Sequence, residues 1–242
     1  MRVEQQSAFV LQARDYRETS LLLEVFTREH GRLGLIAKGA KRAKSPFRGL
    51  LAPFQPLRIG WSGKGELGVV TGVEAVSSTL PLAGDRIFFA FYLNELVLRL
   101  LHRHDAHQKL FDDYCLSLEG LLVDSGWESI LRIFEKRLLA ELGYALLLDK
   151  TGVRDGELDA DTLYRYIPDQ GPVPVNGQES QGILLHGSTL KALAAESLQD
   201  DESLREAKQL MRSILGIYLN GKPLHSRRLY QQIIAFRNSV AV

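Results

Sequence analysis

Short apolar runs alternate with turn-forming segments through the first part of the chain. Five runs rich in Val, Leu, Ile and Phe predict β-strands at 7–14, 19–27, 32–38, 57–61 and 66–77. Gly60 and Gly72 fall inside or beside these runs, where bulges or tight coiling bend a small sheet. Five strands within about eighty residues predict a small closed barrel of the OB or SH3 kind. An open β-meander is the alternative.

After Pro81 the apolar positions follow a helical period instead. Helices are predicted at 86–104, 110–123, 127–142, 203–219 and 226–236. The first is apolar almost all round, which is typical of a buried helix. Residues 144–187 lose this period, and β-prone pieces at 163–167, 173–175 and 183–186 predict an irregular insertion.

The predicted fold class is α+β, with two domains that differ in charge. A five-stranded OB-fold barrel is expected at residues 1–80. A mainly helical domain with a small irregular β insertion at about 144–187 is expected at residues 81–242. The first domain has 12 Lys and Arg against 7 Asp and Glu, whereas the second has 18 against 22. The N-terminal domain is therefore expected to meet an anionic partner.

Cysteine use and hydropathy indicate the compartment. Cys115 is the only cysteine, which excludes an intramolecular disulfide and any zinc site with two or more thiolates. The first residues do not resemble a signal peptide. The most apolar stretch, 87–101, contains three polar or charged residues and is too short to span a bilayer. We expect a cytoplasmic protein without membrane contact.

The common catalytic motifs are absent from the sequence. Neither a phosphate-binding glycine loop, nor a zinc-protease motif, nor a nucleophile elbow occurs. His102, His104 and His107 form a polar cluster with Asp105, but His102 and His104 would point about 200° apart on a helix. Cys115 lies in a periodic helical run, as a core thiol does. We expect no enzyme activity, no catalytic residue, no metal and no cofactor.

A dense group of cations is the main binding signal. Between residues 28 and 48 seven cations are opposed only by Glu29. The predicted DNA-binding residues are these seven: Arg28, Arg32, Lys38, Lys41, Arg42, Lys44 and Arg48. The stretch 38–45 has no apolar residue larger than alanine, so its charges are expected to stay in solvent and bind phosphates. A merely solvated loop is the alternative interpretation.

Aromatic residues near this loop have two possible roles. Phe47, Phe54 and Trp61 could stack on bases. Barrel cores also use Phe and Trp, and this second role is the one we expect.

The helical half carries a second candidate binding surface. Arg205, Lys208 and Arg212 share one helix face, and Arg132 lies between two apolar neighbours on another helix. Cations around an apolar groove are what an acidic peptide with a hydrophobic anchor requires. Surface cations that cover their own core are the alternative.

Short motifs in a specific order make the chain resemble the RecO family of bacterial recombination mediators, over nearly its whole length. They are Glu18-Thr19-Ser20-Leu21, Val25-Phe26-Thr27, Gly31-Arg32, Ala37-Lys38-Gly39-Ala40, Leu51-Ala52-Pro53-Phe54, Leu93-Asn94-Glu95-Leu96, Phe134-Glu135, Leu142-Gly143-Tyr144, Gly221-Lys222-Pro223-Leu224 and Ser226-Arg227.

The resemblance implies functions beyond what the pattern predicts. RecO proteins join an OB-fold to a helical domain, bind single- and double-stranded DNA and anneal complementary strands. They also bind the acidic C-terminal tail of the single-stranded-DNA-binding protein (SSB) and act with RecR to load RecA. On this basis we assign Arg132, Arg205 and Lys208 to the SSB tail, and count RecR and RecF as candidate partners.

The sequence departs from the family in one respect. Many members have four zinc-binding cysteines after the position of Gly143 and Tyr144, and this chain has none there. Two other functions stay open at this stage. One is an OB-fold RNA-binding factor of RNA metabolism, and the other is a metal-dependent hydrolase that uses His102, His104 and His107.

Overall fold

Five strands form a closed barrel at the start of the chain. The structure is a computed structural model that describes residues 2–63, 65–123, 125–148, 157–175 and 182–240. The strands are β1 (Arg2–Tyr16), β2 (Ser20–Thr27), β3 (Gly31–Ala37), β4 (Leu57–Ser62) and β5 (Leu67–Ala75). Their order is β1-β2-β3-β5-β4, and β4 pairs with β1 to close the sheet. The predicted OB-type barrel is confirmed, and the open meander is wrong because β3 pairs with β5 instead of β4.

Alternation of side chains along the strands builds the barrel core. Leu23 and Val25 on β2, and Leu33 and Leu35 on β3, point inward and are buried, because every second residue of a strand faces the same side. Trp61 also lies in this core. Register shifts in β1 and β4 mark bulges, which help a small sheet to close.

The predicted core role of the aromatic residues agrees with their positions. Trp61 is buried within the barrel, and Phe54 is buried with its ring 4.9 Å from that of Phe91. Phe47 is partly buried against the end of the core. These rings are therefore engaged in packing.

Three helices belong to the same compact unit as the barrel. They are α1 (Arg86–Leu100), α2 (Gln108–Gly120) and α6 (His225–Val240). This unit contains residues 1–122 and 224–242, so it extends beyond the 1–80 expected for the barrel domain. None of the helices in the described parts of the chain is long and apolar enough to cross a membrane.

Aromatic side chains attach α2 to the outside of the barrel. Phe9 on β1 and Phe26 on β2 are directly paired across the two strands. Phe26 lies 5.3 Å from Phe111, and Phe9 lies 5.3 Å from Tyr114, between ring centroids. Edge-on packing of such rings adds about 0.5–1.5 kcal/mol per pair to their burial.

Asn94 satisfies two buried polar groups at this contact. Its side-chain amide donates to the Leu11 carbonyl of β1 at 2.9 Å, and its oxygen accepts from the Tyr114 hydroxyl at 2.5 Å. All of these side chains are buried. Burial also raises the pKa of Tyr114, which keeps its hydroxyl protonated as a donor.

The segment after α1 runs beside β3 instead of continuing the helix. The predicted helix to residue 104 is too long, since α1 ends at Leu100 and Arg103 forms a bridge with Arg32. The His104 amide donates to the Arg32 carbonyl at 2.9 Å. Gly31 has a φ of 65°, and a Cβ there would lie only 1.7 Å from the Asp105 carbonyl oxygen, so glycine is required.

Residues 123–223 form a second compact unit. It contains α3 (Trp127–Glu141), β6 (Leu163–Ile167), β7 (Gly171–Pro174), β8 (Ile183–His186), α4 (Gly187–Ala194) and α5 (Asp201–Tyr218). The three strands pair antiparallel in the order β7-β6-β8, so the described part of the predicted insertion holds a small sheet.

Helix α4 was not predicted, because its N-terminal cap comes from a distant residue. No side chain at its own N-terminal cap position bonds its first amides. The Gly187 and Ser188 amides instead donate to the Thr162 and Ala160 carbonyls, each at 2.9 Å. Glu206 of α5 accepts from the His186 amide at 2.9 Å and the Thr189 hydroxyl at 2.6 Å, and its carboxylate is favourable there because it meets the positive end of the helix dipole.

Removal of the Tyr114 hydroxyl tests the buried hydrogen bonds. We expect Tyr114→Phe to lower the free energy of unfolding by about 1–2 kcal/mol, since the Asn94 oxygen loses its donor. Tyr144 is about half exposed, so the control Tyr144→Phe should stay within about 0.5 kcal/mol of wild type. Urea unfolding measures both. Equal stability of the two variants would contradict a role for the buried bond.

Candidate nucleic-acid interface

The segment 38–48 is a series of tight turns on the rim of the barrel. The amides of Arg42, Ser45 and Arg48 each donate to the carbonyl three residues earlier, at 3.0–3.3 Å. The Lys41 amide donates to the Thr19 carbonyl at 2.9 Å, which ties this segment to the turn between β1 and β2. We call residues 38–48 the basic loop.

Cations of the basic loop point into solvent, and most are not neutralised. Lys38, Arg42, Lys44 and Arg48 are exposed, and none forms an ion pair with another residue that the structure describes. Lys41 contacts Asp15 at 2.6 Å, but Asp15 is 74% exposed. Exposed pairs of this kind contribute only about 0–1 kcal/mol, so a phosphate can compete with Asp15.

Arg28 is separated from the basic loop and already bonded. It lies in the turn between β2 and β3, at the other end of these strands from residue 38. Its guanidinium donates twice to Asp112, each bond at 2.8 Å, and once to Glu29. The bonds with Asp112 and then Glu29 raise the pKa of Arg28, and the bonds from Arg28 lower the pKa of Asp112.

Arg32 also lies apart from the basic loop, although the sequence predicts one basic surface that includes it. It points outward from β3, is only 18% exposed, and contacts Glu24 at 3.1 Å. Arg103 binds the other oxygen of Glu24. Burial lowers the pKa of Arg32, and Glu24 opposes this effect. The short spacing of the cations in sequence predicts one group, whereas the fold places Arg28 at the far end of β2 and β3 from the basic loop and Arg32 on the side of β3.

A cleft of about 810 Å³ borders the basic loop. Lys38 and Arg42 line one side, and Tyr16 and Arg17 line another. The Arg17 guanidinium lies 5.3 Å from the centre of the Tyr16 ring, within the range of a cation–π contact. Sequence reasoning missed Tyr16 and Arg17, although they immediately precede the motif that begins at Glu18.

The cations predicted to bind an acidic peptide lie in the second compact unit and differ in their exposure to solvent. Arg205 and Lys208 project from α5 and are 74% and 58% exposed. Lys208 contacts Glu128 at 3.3 Å, which brings the start of α3 next to α5. These two residues are accessible to an acidic ligand.

Arg132 is not the free rim cation that the sequence predicts. It is 6% exposed, and its guanidinium binds Glu135, which is fully buried. Glu135 lies one turn further along α3, so helical spacing brings the two charges together. The Nε atom of Arg132 is buried and has no hydrogen-bond partner among the described residues.

The histidines considered for metal binding are not gathered into a site. Among the described residues the one group with metal-compatible spacing is His186, Glu202 and Glu206, which sequence reasoning missed. The Glu206 oxygens already accept bonds at the start of α4, one of them from the His186 ring at 2.7 Å. The group is explained as a helix cap. Burial, with help from Asp112 and Glu119, raises the pKa of Cys115 to about 12, so its thiol stays protonated.

Comparison with protein families matches the two parts of the chain in order. Residues 1–79 match the family model described as "Recombination protein O N terminal". Residues 82–228 match the one described as "Recombination protein O C terminal".

Similar proteins match nearly the whole length of the chain. "DNA repair protein RecO" of Nitrosococcus oceani is 46% identical over 233 residues, which cover 96% of this chain and 95% of that protein. The protein of the same description from Dechloromonas aromatica is 43% identical over 236 residues, covering 96% and 97%. That from Methylococcus capsulatus is 44% identical over 224 residues, covering 93% and 91%.

A double substitution separates the charge of Arg132 from its structural role. We expect Arg132→Ala to lower the free energy of unfolding by about 3–5 kcal/mol, because the buried Glu135 carboxylate loses the positive charge of Arg132. Replacing both residues, as Arg132→Met with Glu135→Leu, should restore most of that loss. Urea unfolding gives both values. If Arg132→Ala were as stable as the wild type, the Arg132–Glu135 pair would be solvated instead of buried.

Proposed function

This chain belongs to the RecO family of DNA repair proteins, and from that premise we propose that it is a recombination mediator that is not an enzyme. It binds single- and double-stranded DNA through the barrel and anneals complementary strands. It binds the acidic tail of SSB and acts with RecR, and with RecF as a further partner, to promote RecA loading. It works in the cytoplasm, on the nucleoid when bound to DNA, and needs no cofactor.

The observation that carries the DNA-binding proposal is the exposed basic loop. Four of its cations have no ion pair among the residues described, so binding a phosphate requires no existing pair to break. Release of counterions from DNA then supplies the free energy of binding. The loop holds backbone phosphates, which are the same for every sequence, so it needs no contacts that read bases.

Strand annealing follows from the same charge. Two complementary strands repel one another through their phosphates, and cations held near both strands reduce that repulsion. Base pairing then supplies the specificity. The protein forms and breaks no covalent bond in this step.

Binding of the SSB tail is assigned to the second compact unit. Arg205 and Lys208 offer exposed charges for acidic residues of the tail. Arg132 has a buried Nε donor that bonds to none of the described residues, so we assign to it a carboxylate of the bound tail. Charge-assisted hydrogen bonds of this kind are among the stronger polar contacts in proteins.

Salt dependence tests the role of the basic loop. If the four unpaired cations Lys38, Arg42, Lys44 and Arg48 each neutralise one phosphate of single-stranded DNA, they contribute about −3 to the slope of log K against log salt. The variant Lys38→Ala, Lys41→Ala, Arg42→Ala, Lys44→Ala removes three of these four, so it should reduce the magnitude of the slope by about 2 and slow annealing. Fluorescence anisotropy with labelled oligonucleotides at several salt concentrations measures it.

A charge-conserving variant is the matched control for the loop. Lys38→Arg, Lys41→Arg, Arg42→Lys, Lys44→Arg should keep the wild-type slope. An unchanged slope in the alanine variant would reject the loop as the DNA site. Equal or tighter binding to RNA of the same length would favour the RNA-binding alternative instead.

Peptide titration tests the assigned tail site. We expect Arg205→Ala with Lys208→Ala to weaken binding of an SSB tail peptide by about 1–2 kcal/mol. The folded double variant Arg132→Met, Glu135→Leu should weaken it by about 1–3 kcal/mol. Lys191 is an exposed cation of α4 in the same unit, and Lys191→Ala is the control. Wild-type affinity in both the Arg205/Lys208 variant and the Arg132/Glu135 variant would place the tail site elsewhere.

A further inference from the structure

Helices cover only part of the outer face of the barrel. Phe26 on β2 points outward and packs against Phe111 and Tyr114 of α2. Leu22, four residues earlier on β2, also faces outward because side chains alternate along a strand. Leu22 is only half-buried. The outer face near the β1–β2 turn is therefore open.

The open part of this face carries a row of apolar side chains. Leu22 pairs with Ile36 on β3, and Ile36 pairs with Val69 on β5. On the other side Leu22 pairs with Arg14 of β1. Residues paired across strands share one face of a sheet, so Arg14, Leu22, Ile36 and Val69 form one line across four strands. The three apolar members are half-buried.

A cleft lies at each end of this line. Ile36 and Val69 line the cleft beside the basic loop, together with Tyr16, Lys38 and Arg42. Arg14 lines a second cleft of about 1000 Å³, whose other walls come from β2, β3, α1 and α6. Neighbouring strands are about 4.8 Å apart, so the line spans roughly 14 Å between the two clefts.

The second cleft carries an excess of positive charge, because four arginines (Arg14, Arg32, Arg99 and Arg228) line it against two glutamates, both of which are already bonded. Glu24 is held by Arg32 and Arg103. Glu95 accepts bonds from the amides of His225 and Ser226 at 2.9 and 2.8 Å. Burial opposes ionisation of Glu95, but these bonds outweigh it and lower its pKa.

Two arginines of the second cleft have no acidic partner among the residues that the structure describes. Arg14 and Arg228 are exposed, and the one side-chain bond of Arg14 is to Gln12. Arg32 adds a buried Nε donor that bonds to none of the described residues. Apolar walls stand beside these groups, including Phe91 and Leu229, which are 40% and 49% exposed.

We propose that one single strand of nucleic acid crosses this face, from the cleft at the basic loop to the cleft at Arg14 and Arg228. Its bases lie on Leu22, Ile36 and Val69, with Tyr16 at one end and Phe91 at the other. Its phosphates bind Lys38 and Arg42 in the first cleft and Arg14 and Arg228 in the second. The inference rests on the proposed DNA binding and adds a path and base-contacting residues to it.

The alternation of charge and apolar surface favours a nucleic acid over an acidic peptide. Cations occur at both ends of a continuous apolar line. A nucleic-acid strand carries a phosphate and a flat base on every nucleotide, so its phosphates can bind the cations while its bases lie on the apolar line. An OB-fold typically covers about 4–16 nucleotides, so one strand is long enough to reach both clefts.

Strands with and without bases provide the test. The variant Ile36→Thr, Val69→Thr keeps β-branched side chains, so the strands should persist. We expect it to bind a twelve-residue thymidine oligonucleotide roughly fivefold more weakly than wild type. Binding of an abasic strand of equal length and charge should change less than twofold. Fluorescence anisotropy gives both affinities, and thermal unfolding checks that the variants are folded.

A second variant tests the far end of the path. Arg14→Ala with Arg228→Ala should weaken binding of both strands and reduce the salt slope by about 1.4, because two phosphate contacts are lost. Val76→Thr changes a valine that is 59% exposed and lies outside the line, and it should bind both strands as wild type does.

Three results would overturn the path. The first is wild-type affinity of the threonine variant for both the oligonucleotide and the abasic strand. The second is an equal loss of its affinity for the two. The third is an arginine variant that loses affinity for an acidic peptide but not for the oligonucleotide. If the alanine variant of the basic loop still lowers the salt slope in those cases, the proposed DNA binding stands and only the path is wrong. Failure of the wild-type protein to bind DNA would instead reject the proposed function.

Discussion

The buried hydrogen bonds of Asn94 are the constraint on which the first compact unit depends. Asn94 of α1 must satisfy its own amide, the Leu11 carbonyl of β1 and the Tyr114 hydroxyl of α2 at once. A polar group left unpaired in such a place costs more than a typical hydrogen bond contributes. The helices lie where all three groups are bonded, and in that position the rings of α2 cover the outer face at Phe9 and Phe26.

Ion pairing then decides which cations are available for a ligand. Arg28 and Arg32 are as basic as the loop residues in sequence, yet Asp112 and Glu24 hold them. The basic loop cannot bury itself, and its turns place its side chains in solvent. Arg132 shows the opposite arrangement, since its only bonded partner in the described chain is a fully buried carboxylate one helical turn away. The sequence therefore shows how many cations the chain has, while packing determines which of them can bind a ligand.

Carboxylates from distant residues bond the start of two helices. Glu206 of α5 accepts from the His186 amide and the Thr189 hydroxyl at the start of α4, and Glu95 of α1 accepts from the amides of His225 and Ser226 at the start of α6. Neither cap leaves a local signature such as a Ser or Asp followed by a helix. For α4 this explains why a helix of eight residues went unpredicted, because short helices have little intrinsic stability and need an external partner.

The sequence by itself determined the strands, the long helices and the position of the basic loop, because alternation, helical period and charge density are local properties. It also carried enough ordered motifs to indicate the RecO family. Only the tertiary structure decided that α1 stops at Leu100, that Arg28 and Arg32 leave the loop surface, and that Leu22, Ile36 and Val69 form one line. These features depend on which residues pair across strands and between helices, and the β3–β5 pairing joins residues more than thirty positions apart. Their energies arise from contacts that no local window of sequence contains.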